Sequence, residues 1–393
     1  MKTTGKAVKN HTWHLIMLGI LRLIAGPVLK ILMGFRCKTE KGLRAPAIII
    51  ANHTSNLDPA LVSVGFSDHM YFVASEHAFR AGLGSKLMSF IFAPIPINKV
   101  QTDASALKEM IRRLKAGYNI CLFAEGNRSY NGVTGKMILA TAKLVKISGA
   151  ALITYRLEGG YFTTPRWGKI MRRGRMEGRV TGRYSAEEIK NMPVERVLEL
   201  IEQGIHEDAY ARQQENPIRY RGKDRAEHIE TALYLCPLCK KIGTIHSKGD
   251  NFSCNCGLSA EYTETGMLAG VKGAPKLPFS TVTEWDKWQS EELERIVGNA
   301  GNGIICGDED QQLFTVQSAA GKALIGEGTM CVSRSGFHCA GLDIPLKEIS
   351  KFAIVGKMAL LLMLKDGTQY EVRSVHPRSA LKYTEILRIL SCE

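Results

Sequence analysis

Runs of apolar residues alternate with amphipathic stretches between residues 46 and 155. In the stretch 103–117, Ala106, Met110 and Leu114 recur at helical spacing, whereas residues 47–51 (AIIIA) form a short β-branched run typical of a buried strand. This alternation predicts an α/β fold, with a mixed, largely parallel sheet flanked by helices. We predict strands at 47–51, 70–74, 119–124 and 150–155, and helices at 59–66, 103–117 and 137–147.

The most hydrophobic segment of the chain is residues 13–35. A helix needs about 20 uninterrupted apolar residues to span a bilayer, and Arg22, Pro27 and Lys30 interrupt this segment. We therefore expect a pair of short interfacial helices that break at Gly26-Pro27, with Arg22 and Lys30 snorkelling to water. A tilted single span and a buried pair of core helices remain alternatives.

The net charge of +14, from 52 basic and 38 acidic residues, favours an anionic partner. Nine basic residues and one acidic residue lie in positions 1–50, and a second basic cluster occupies 166–183. Both clusters flank apolar residues, which suits a surface lying on an anionic phospholipid membrane, although a solvated basic face would look the same.

Two polar clusters directly follow predicted strands, where sites in parallel sheets gather. His53 lies five residues before Asp58, and a tight turn between strand and helix would fold the carboxylate onto the imidazole. A histidine held in this way can take a proton from an attacking hydroxyl group, although Asp58 before Pro59 also fits an ordinary helix start. After strand 119–124, residues 125–128 (EGNR) supply a sharp turn and a guanidinium group that matches phosphate, or simply a charged surface turn.

Together these clusters resemble the N-H-x4-D and E-G-T-R-S motifs of the glycerolipid acyltransferases that acylate lysophosphatidic acid. Residues 52–58 match the first motif at every defining position, whereas Asn127 replaces the usual threonine of the second. Between the two motifs, Asn98-Lys99 stands where the family carries an acidic and a basic residue. The family's fourth motif is a strand with a proline, and the corresponding residues 152–155 (LITY) have none.

The resemblance covers residues 13–210 and implies direct acyl transfer from acyl-CoA or acyl carrier protein. His53 would deprotonate the free hydroxyl of 1-acyl-sn-glycerol 3-phosphate, Asp58 would orient the imidazole, and the product would be phosphatidic acid. Backbone N–H groups at the start of the helix after His53 would hold the oxyanion. The residues implied to bind the acceptor are Glu125, Gly126, Arg128 and Lys99.

Two alternatives stay open at this point. The acceptor could be another lysophospholipid or lipid hydroxyl, because the fourth-motif proline is missing and Asn98-Lys99 replaces the usual pair. The chain could also be a catalytically inert, membrane-associated zinc-ribbon scaffold. For the enzyme, the interfacial N-terminus predicts a peripheral or monotopic protein at the cytoplasmic face of the cell membrane.

Four of the ten cysteines crowd into 21 residues, which favours a metal site in a reducing compartment over a disulfide framework. The spacing C-x2-C, fourteen residues, then C-x-C is typical of a structural four-thiolate Zn²⁺ site, with reduced core cysteines as the alternative. His246 is a fallback ligand. The basic clusters lie elsewhere, so we do not expect a nucleic-acid partner. The predicted ligands are Cys236, Cys239, Cys254 and Cys256.

The last part of the chain alternates short strands with turns, including a hairpin turn at Asp366-Gly367, and closes with a helix over 377–390. This pattern resembles pleckstrin-homology (PH) or GRAM-like modules. The predicted organisation is membrane-interface helices at 1–45, the acyltransferase domain at 46–215, a linker and zinc ribbon at 216–265, a connecting region at 266–328, and a PH/GRAM-like module at 329–393.

Overall fold

The alternation predicted between residues 46 and 155 is present in a computed structural model, which describes residues 11–43, 46–75, 93–97, 104–317 and 321–392. The chain divides into two units: Met1–Arg166 with Met171–Arg221, and Trp167–Ile170 with Gly222–Glu393. The first unit contains the predicted α/β layer, and the second contains the cysteine cluster and the β-rich tail.

The first unit is built on a seven-stranded sheet with the order β1-β7-β6-β2-β5-β3-β4. Neighbouring strands are parallel except β6 and β7, which confirms the prediction of a mixed, largely parallel sheet. Strand β7 was not predicted, because its residues were assigned to a basic membrane-facing cluster. The strands are β1 (Phe35–Cys37), β2 (Ala47–Ala51), β3 (Met70–Ser75), β4 (Ile95–Ile97), β5 (Asn119–Phe123), β6 (Ala151–Glu158) and β7 (Met176–Tyr184).

The helices of this unit cover both faces of the sheet. Alternate residues of β2 point to opposite sides, so Ile49 and Ala51 pack in a core with α1 and α2, while Ile48 and Ile50 pack in a core with α3, α4 and α7. The described helices are α1 (His11–Met33), α2 (Asp58–Val64), α3 (Ala104–Lys115), α4 (Leu139–Ser148), α5 (Gly160–Thr163), α6 (Ala186–Asn191), α7 (Val194–Ile205) and α8 (Ala209–Glu215).

The predicted break at Gly26-Pro27 is wrong, because α1 is one continuous helix with Pro27 inside it. Proline removes a single backbone hydrogen bond there without ending the helix. Arg22 does not snorkel to water either. Its guanidinium donates at 2.7–2.8 Å to the carbonyl oxygen of Ser63 in the last turn of α2 and to those of Ser67 and Asp68 in the segment that follows.

One face of α1 is apolar and exposed, with Leu23 and Ile24 at 78% and 60% exposure. Among the residues that the structure describes, α1 is the one helix whose length and composition would allow it to cross a membrane. The basic cluster at 166–183 is less available than predicted. Arg166 and Arg172 are buried, and three further arginines pair with carboxylates: Arg175 with Glu177, Arg179 with Glu158, and Arg183 with Glu40.

The start of α1 packs against His69, which directly precedes β3, and against Tyr71 on β3. His11 Nδ1 lies 2.8 Å from the hydroxyl oxygen of Tyr71, and the His11 and His69 rings meet edge to face at 5.3 Å. The Arg113 guanidinium lies 4.4 Å from the centroid of the Tyr71 ring. Burial lowers the pKa of His69 to about 3, helped by positive charge on His11, His14, Arg22 and Arg113.

We expect the free energy of unfolding to fall as the pH drops below about 6.5, where unfolded histidine takes up a proton. Folded His69 stays neutral down to a pKa of about 3. The unfolded chain therefore binds more protons across this window, at a cost of up to about 1.4 kcal/mol per pH unit. Urea denaturation between pH 5 and 8 measures the slope. His69→Phe should flatten it, and exposed His206→Gln should not; equal slopes in all three proteins would contradict the prediction.

The second unit combines a small four-stranded antiparallel sheet, order β11-β10-β9-β8, with a larger seven-stranded sheet, order β15-β14-β13-β12-β18-β17-β16. Its two long helices are α9 (Val282–Asn299) and α10 (Ala380–Cys392). The small-sheet strands are β8 (Ile245–Lys248), β9 (Asn251–Cys254), β10 (Ser259–Tyr262) and β11 (Leu268–Gly270). The large-sheet strands are β12 (Ile304–Gln317), β13 (Gly321–Ser333), β14 (Gly336–Cys339), β15 (Leu342–Pro345), β16 (Ile349–Val355), β17 (Ala359–Leu364) and β18 (Gln369–Ser374).

The large sheet begins at Ile304, so the predicted domain boundary at 329 falls inside β13. Sequence patterning did not show this boundary, because the outer half of β13 is exposed and carries no clear alternation. A buried ion pair joins the sheet to the last helix: Lys382 Nζ lies 2.7 Å from an Asp308 carboxylate oxygen, which also accepts a hydrogen bond from the Tyr383 hydroxyl. The predicted Asp366-Gly367 hairpin turn joins β17 to β18, with Gly367 at φ 90°.

Candidate active site

The two predicted clusters lie side by side because their strands are neighbours. Strands β2 and β5 are parallel, with Ala51 opposite Phe123 at their carboxyl ends. After each of these strands the chain turns away from the sheet, so His53 and Glu125 follow adjacent strands at the same edge of the sheet. The two clusters meet at this edge because β2 and β5 are neighbours in the sheet. The sequence alone does not show which strands are neighbours.

His53 and Asp58 are in direct contact. Nδ1 of His53 lies 2.8 Å from Oδ2 of Asp58, and the imidazole stacks on the Phe123 ring at 4.7 Å between centroids. An ionised carboxylate only accepts hydrogen bonds, so Nδ1 carries the proton and Nε2 has the lone pair. The His53 side chain is 24% exposed and the Asp58 side chain 0%. This arrangement fixes the orientation of the imidazole and leaves the side chain partly exposed, as a general base requires.

Asp58 is held by its own loop. Its carboxylate accepts hydrogen bonds from the backbone N–H and the hydroxyl of both Thr54 and Ser55, at 2.6–3.1 Å. The N–H of Leu57 donates to the Ser55 hydroxyl. The N–H groups at the start of this helix, which were expected to hold an oxyanion, are engaged as well: that of Asp58 donates to the Ser55 carbonyl oxygen, and those of Ala60 and Leu61 donate to the Leu57 carbonyl oxygen. The loop is built to fix the carboxylate.

Glu125 contacts the backbone of His53 and of Gly135. One carboxylate oxygen accepts the His53 N–H at 2.6 Å, and the other accepts the Gly135 N–H at 2.8 Å. Burial raises the pKa of Glu125 to about 7, although both N–H hydrogen bonds oppose the rise. Glu125 thus links the histidine loop to the segment that leads into α4.

Gly126 and Arg128 complete the second cluster. Gly126 has φ 67°, a left-handed conformation that glycine adopts without strain, and it turns the chain at the end of β5. Arg128 Nη1 donates to the carbonyl oxygen of Thr164 at 3.4 Å. Burial and the neighbouring Arg166 lower the pKa of Arg128, which as a guanidinium still keeps its charge. Lys99 lies outside the described residues.

The structure adds contacts at this site that the motifs do not show. Asn52 exchanges two hydrogen bonds with the backbone of Leu157, at 2.7 and 2.8 Å, and ties the end of β2 to β6. A small recess beside His53 is also lined by Tyr161 and Glu207. Burial raises the pKa of Glu207, which accepts a hydrogen bond from Arg212 at 2.8 Å. Tyr161 and Glu207 belong to no motif, and only the fold brings them, 108 and 154 residues along the chain, to the histidine.

Part of the chain is similar to known proteins. Residues 35–158, which include both clusters, match the model of the acyltransferase family. These residues are an acyltransferase-family domain. A structure of the 1-acyl-sn-glycerophosphate (LPA) acyltransferase PlsC from Thermotoga maritima is similar at 19% identity, covering 51% of this chain and 82% of that chain, with a TM-score of 0.41. No curated protein matches the sequence. The family resemblance predicted from the motifs is confirmed.

The four predicted cysteine ligands meet outside the acyltransferase domain, in the second unit. Their sulfur atoms all lie within 4.8 Å of one another, with Cys236 to Cys256 at 3.6 Å and Cys239 to Cys254 at 3.7 Å. Tetrahedral Zn²⁺ with Zn–S bonds of about 2.3 Å requires sulfur atoms about 3.8 Å apart, so the group could hold a metal ion.

Two tight turns present these thiols. The N–H of Lys240 donates to the Cys236 carbonyl oxygen, and the N–H of Gly257 donates to that of Cys254, each at the residue just after a cysteine pair. Lys240 and Gly257 both have positive φ, at 56° and 95°. His246, the fallback ligand, lies on β8 with an exposed side chain and is not in the cluster.

Proposed function

We propose that this chain transfers a fatty acyl group from acyl-CoA or acyl carrier protein to the free hydroxyl of 1-acyl-sn-glycerol 3-phosphate, which gives phosphatidic acid. The main support is the His53–Asp58 contact at 2.8 Å, with Nε2 available, at a strand edge that also carries Arg128. A base and a phosphate-matching cation at one edge suit an acceptor that has both a hydroxyl and a phosphate.

The acceptor hydroxyl gives its proton to Nε2 of His53 as its oxygen bonds to the thioester carbon. Asp58 stabilises the imidazolium that forms, because the buried carboxylate lies against Nδ1–H. The carbonyl then re-forms as the C–S bond breaks, and the imidazolium returns the proton to the departing thiolate. This sequence needs no covalent acyl-enzyme, so buried Cys121 has no role as a nucleophile.

The acceptor phosphate is bound by the Arg128 guanidinium, whose planar fork matches phosphate oxygens. Lys99 adds a second cation in this proposal. Glu125 and Gly126 act through the backbone: Glu125 fixes the His53 N–H, and Gly126 makes the turn that leads to Arg128.

The exposed apolar face of α1 would lie in the cytoplasmic leaflet of an anionic phospholipid membrane and bring the site to its lipid. In the second unit, the four thiolates would hold a structural Zn²⁺, which fixes the ribbon and takes no part in the chemistry. The seven-stranded sheet with α10 would be a PH/GRAM-like module.

The test supplies radiolabelled acyl-CoA, or acyl carrier protein, to the purified chain in liposomes that contain lysophosphatidic acid, and separates the products by thin-layer chromatography. We expect labelled phosphatidic acid, and less product with lysophospholipids whose phosphate carries a headgroup. A gel-shift assay with nucleic acid at varied salt should show no specific complex. No acyl transfer to any acceptor would refute the proposal, whereas equal transfer to all of them would refute its choice of acceptor.

A further inference from the structure

The segment after β6 runs along the loop that carries Arg128 and is bonded to it at several points. Tyr161 donates its hydroxyl hydrogen to the carbonyl oxygen of Tyr130 at 3.2 Å, and Arg128 donates to Thr164. Arg166 makes the most contacts: Nη1 donates to the carbonyl oxygen of Arg128 at 3.1 Å and Nη2 to Oδ1 of Asn127 at 3.3 Å.

Arg166 is 4% exposed, and its guanidinium lies 4.3 Å from the centroid of the Tyr130 ring. It lies beyond residues 35–158, in the cluster that was predicted to face a membrane. A buried guanidinium that stacks on an aromatic ring and donates to two loop atoms is fixed in place. It cannot swing out to meet a substrate, so any effect on the reaction passes through the loop and through its charge.

We infer that Arg166 is a positioning residue that holds the Arg128 loop and, by its nearby charge, makes the site prefer a doubly charged phosphate monoester headgroup over a singly charged phosphate diester. This inference rests on the proposed function and specifies how the acceptor is chosen. Asn127, which stands where the family usually has threonine, takes part by accepting the hydrogen bond from Nη2 of Arg166.

The charge argument follows from the chemistry of arginine. A guanidinium group does not lose its proton in a protein, so Arg128 and Arg166 keep two positive charges close together. Their mutual repulsion is relieved more by a dianion than by a monoanion. A phosphate monoester has a second pKa near 6, so it is mostly a dianion at pH 7.5 and mostly a monoanion at pH 5.5. A phosphate diester remains a monoanion at both pH values.

The first experiment measures binding without turnover. Dodecyl phosphate and its methyl diester are titrated into the His53→Ala variant by calorimetry, with and without Arg166→Met. We expect tighter binding of the monoester, by about tenfold, at pH 7.5. This preference should shrink at pH 5.5 and disappear with Arg166→Met. The inference would be overturned if the His53→Ala variant bound the two probes equally, or if the preference for the monoester persisted after Arg166→Met was added.

The second experiment measures kinetics with lysophosphatidic acid and lysophosphatidylglycerol as acceptors. Arg166→Met should raise the acceptor KM for the monoester by about tenfold or more, and leave kcat and the donor KM within about threefold. Arg166→Lys, which keeps the charge but loses the fork, should give an intermediate KM. Arg196→Met, an exposed arginine on α7 paired with Glu199, is the matched control and should change nothing.

Folding is checked by the melting temperature of each variant. Asn127→Ala removes the acceptor of the Nη2 hydrogen bond without touching the buried arginine, and we expect a smaller KM increase in the same direction. A fall in kcat that is equal for both acceptors and follows a loss of melting temperature would make Arg166 merely structural and overturn the inference. Absence of turnover in the unaltered chain would refute the proposed function instead, and the binding titrations would still decide the role of Arg166.

Discussion

Replacing His53 with alanine should lower kcat for acyl transfer by about three orders of magnitude and leave binding of the acceptor lipid unchanged. The reason is the contact that fixes the imidazole: with Nδ1 held by Asp58 at 2.8 Å, Nε2 is the group placed to take the hydroxyl proton. The measurement is the initial rate with labelled acyl donor, together with sedimentation of the variant with liposomes that contain lysophosphatidic acid.

The matched control is His246→Ala, an exposed histidine on β8 in the second unit, which should retain the full rate. Asp58→Asn should also inactivate, but it would present amide hydrogens to groups that now donate to the carboxylate, including the N–H groups of Thr54 and Ser55. Its melting temperature should therefore fall, and His53→Ala is the cleaner variant. A His53→Ala protein that keeps more than a tenth of the rate would refute a general-base role.

Loss of metal from the cysteine cluster should produce the largest change in stability. Structural Zn²⁺ contributes about 10–16 kcal/mol of apparent binding free energy in zinc-finger peptides. We expect the purified protein to contain an equimolar amount of zinc, and a strong chelator, or Cys256→Ser, to lower the melting temperature of the second unit by more than about 10 °C. Cys256 is exposed, so its replacement removes a ligand without opening a cavity.

Trp285 reports this change. It is fully buried, its indole N–H donates to the carbonyl oxygen of Leu235 beside Cys236, and its ring lies 5.9 Å from Phe252 on β9. Its fluorescence should shift to the red when the ribbon loosens. Cys331→Ser, a half-buried cysteine outside the cluster, should leave zinc content and fluorescence unchanged. The metal site would be refuted if elemental analysis found no zinc in the purified protein, or if the chelator left the melting temperature unchanged.

The predictions that were confirmed depend on residues close together in the sequence. A five-residue apolar run such as 47–51 has few alternatives to a buried strand, and the motif residues directly follow such runs. The cysteine spacing likewise limits where four thiols can meet, and they do meet. The prediction failed for α1, because the number of hydrogen bonds that one proline removes is too small to end a long apolar helix.

By itself, therefore, the sequence determined the class of fold, the family resemblance of residues 35–158, and the histidine and carboxylate that touch, because these depend on residues within a few positions of one another. Only the tertiary structure decided which strands are neighbours, and so which polar clusters share an edge. It also placed the Glu125 carboxylate against the His53 N–H, directed the N–H groups of Thr54 and Ser55 to Asp58, and buried Arg166 against the loop that carries Arg128. Those contacts join distant segments, and no local pattern records the packing that brings such segments together.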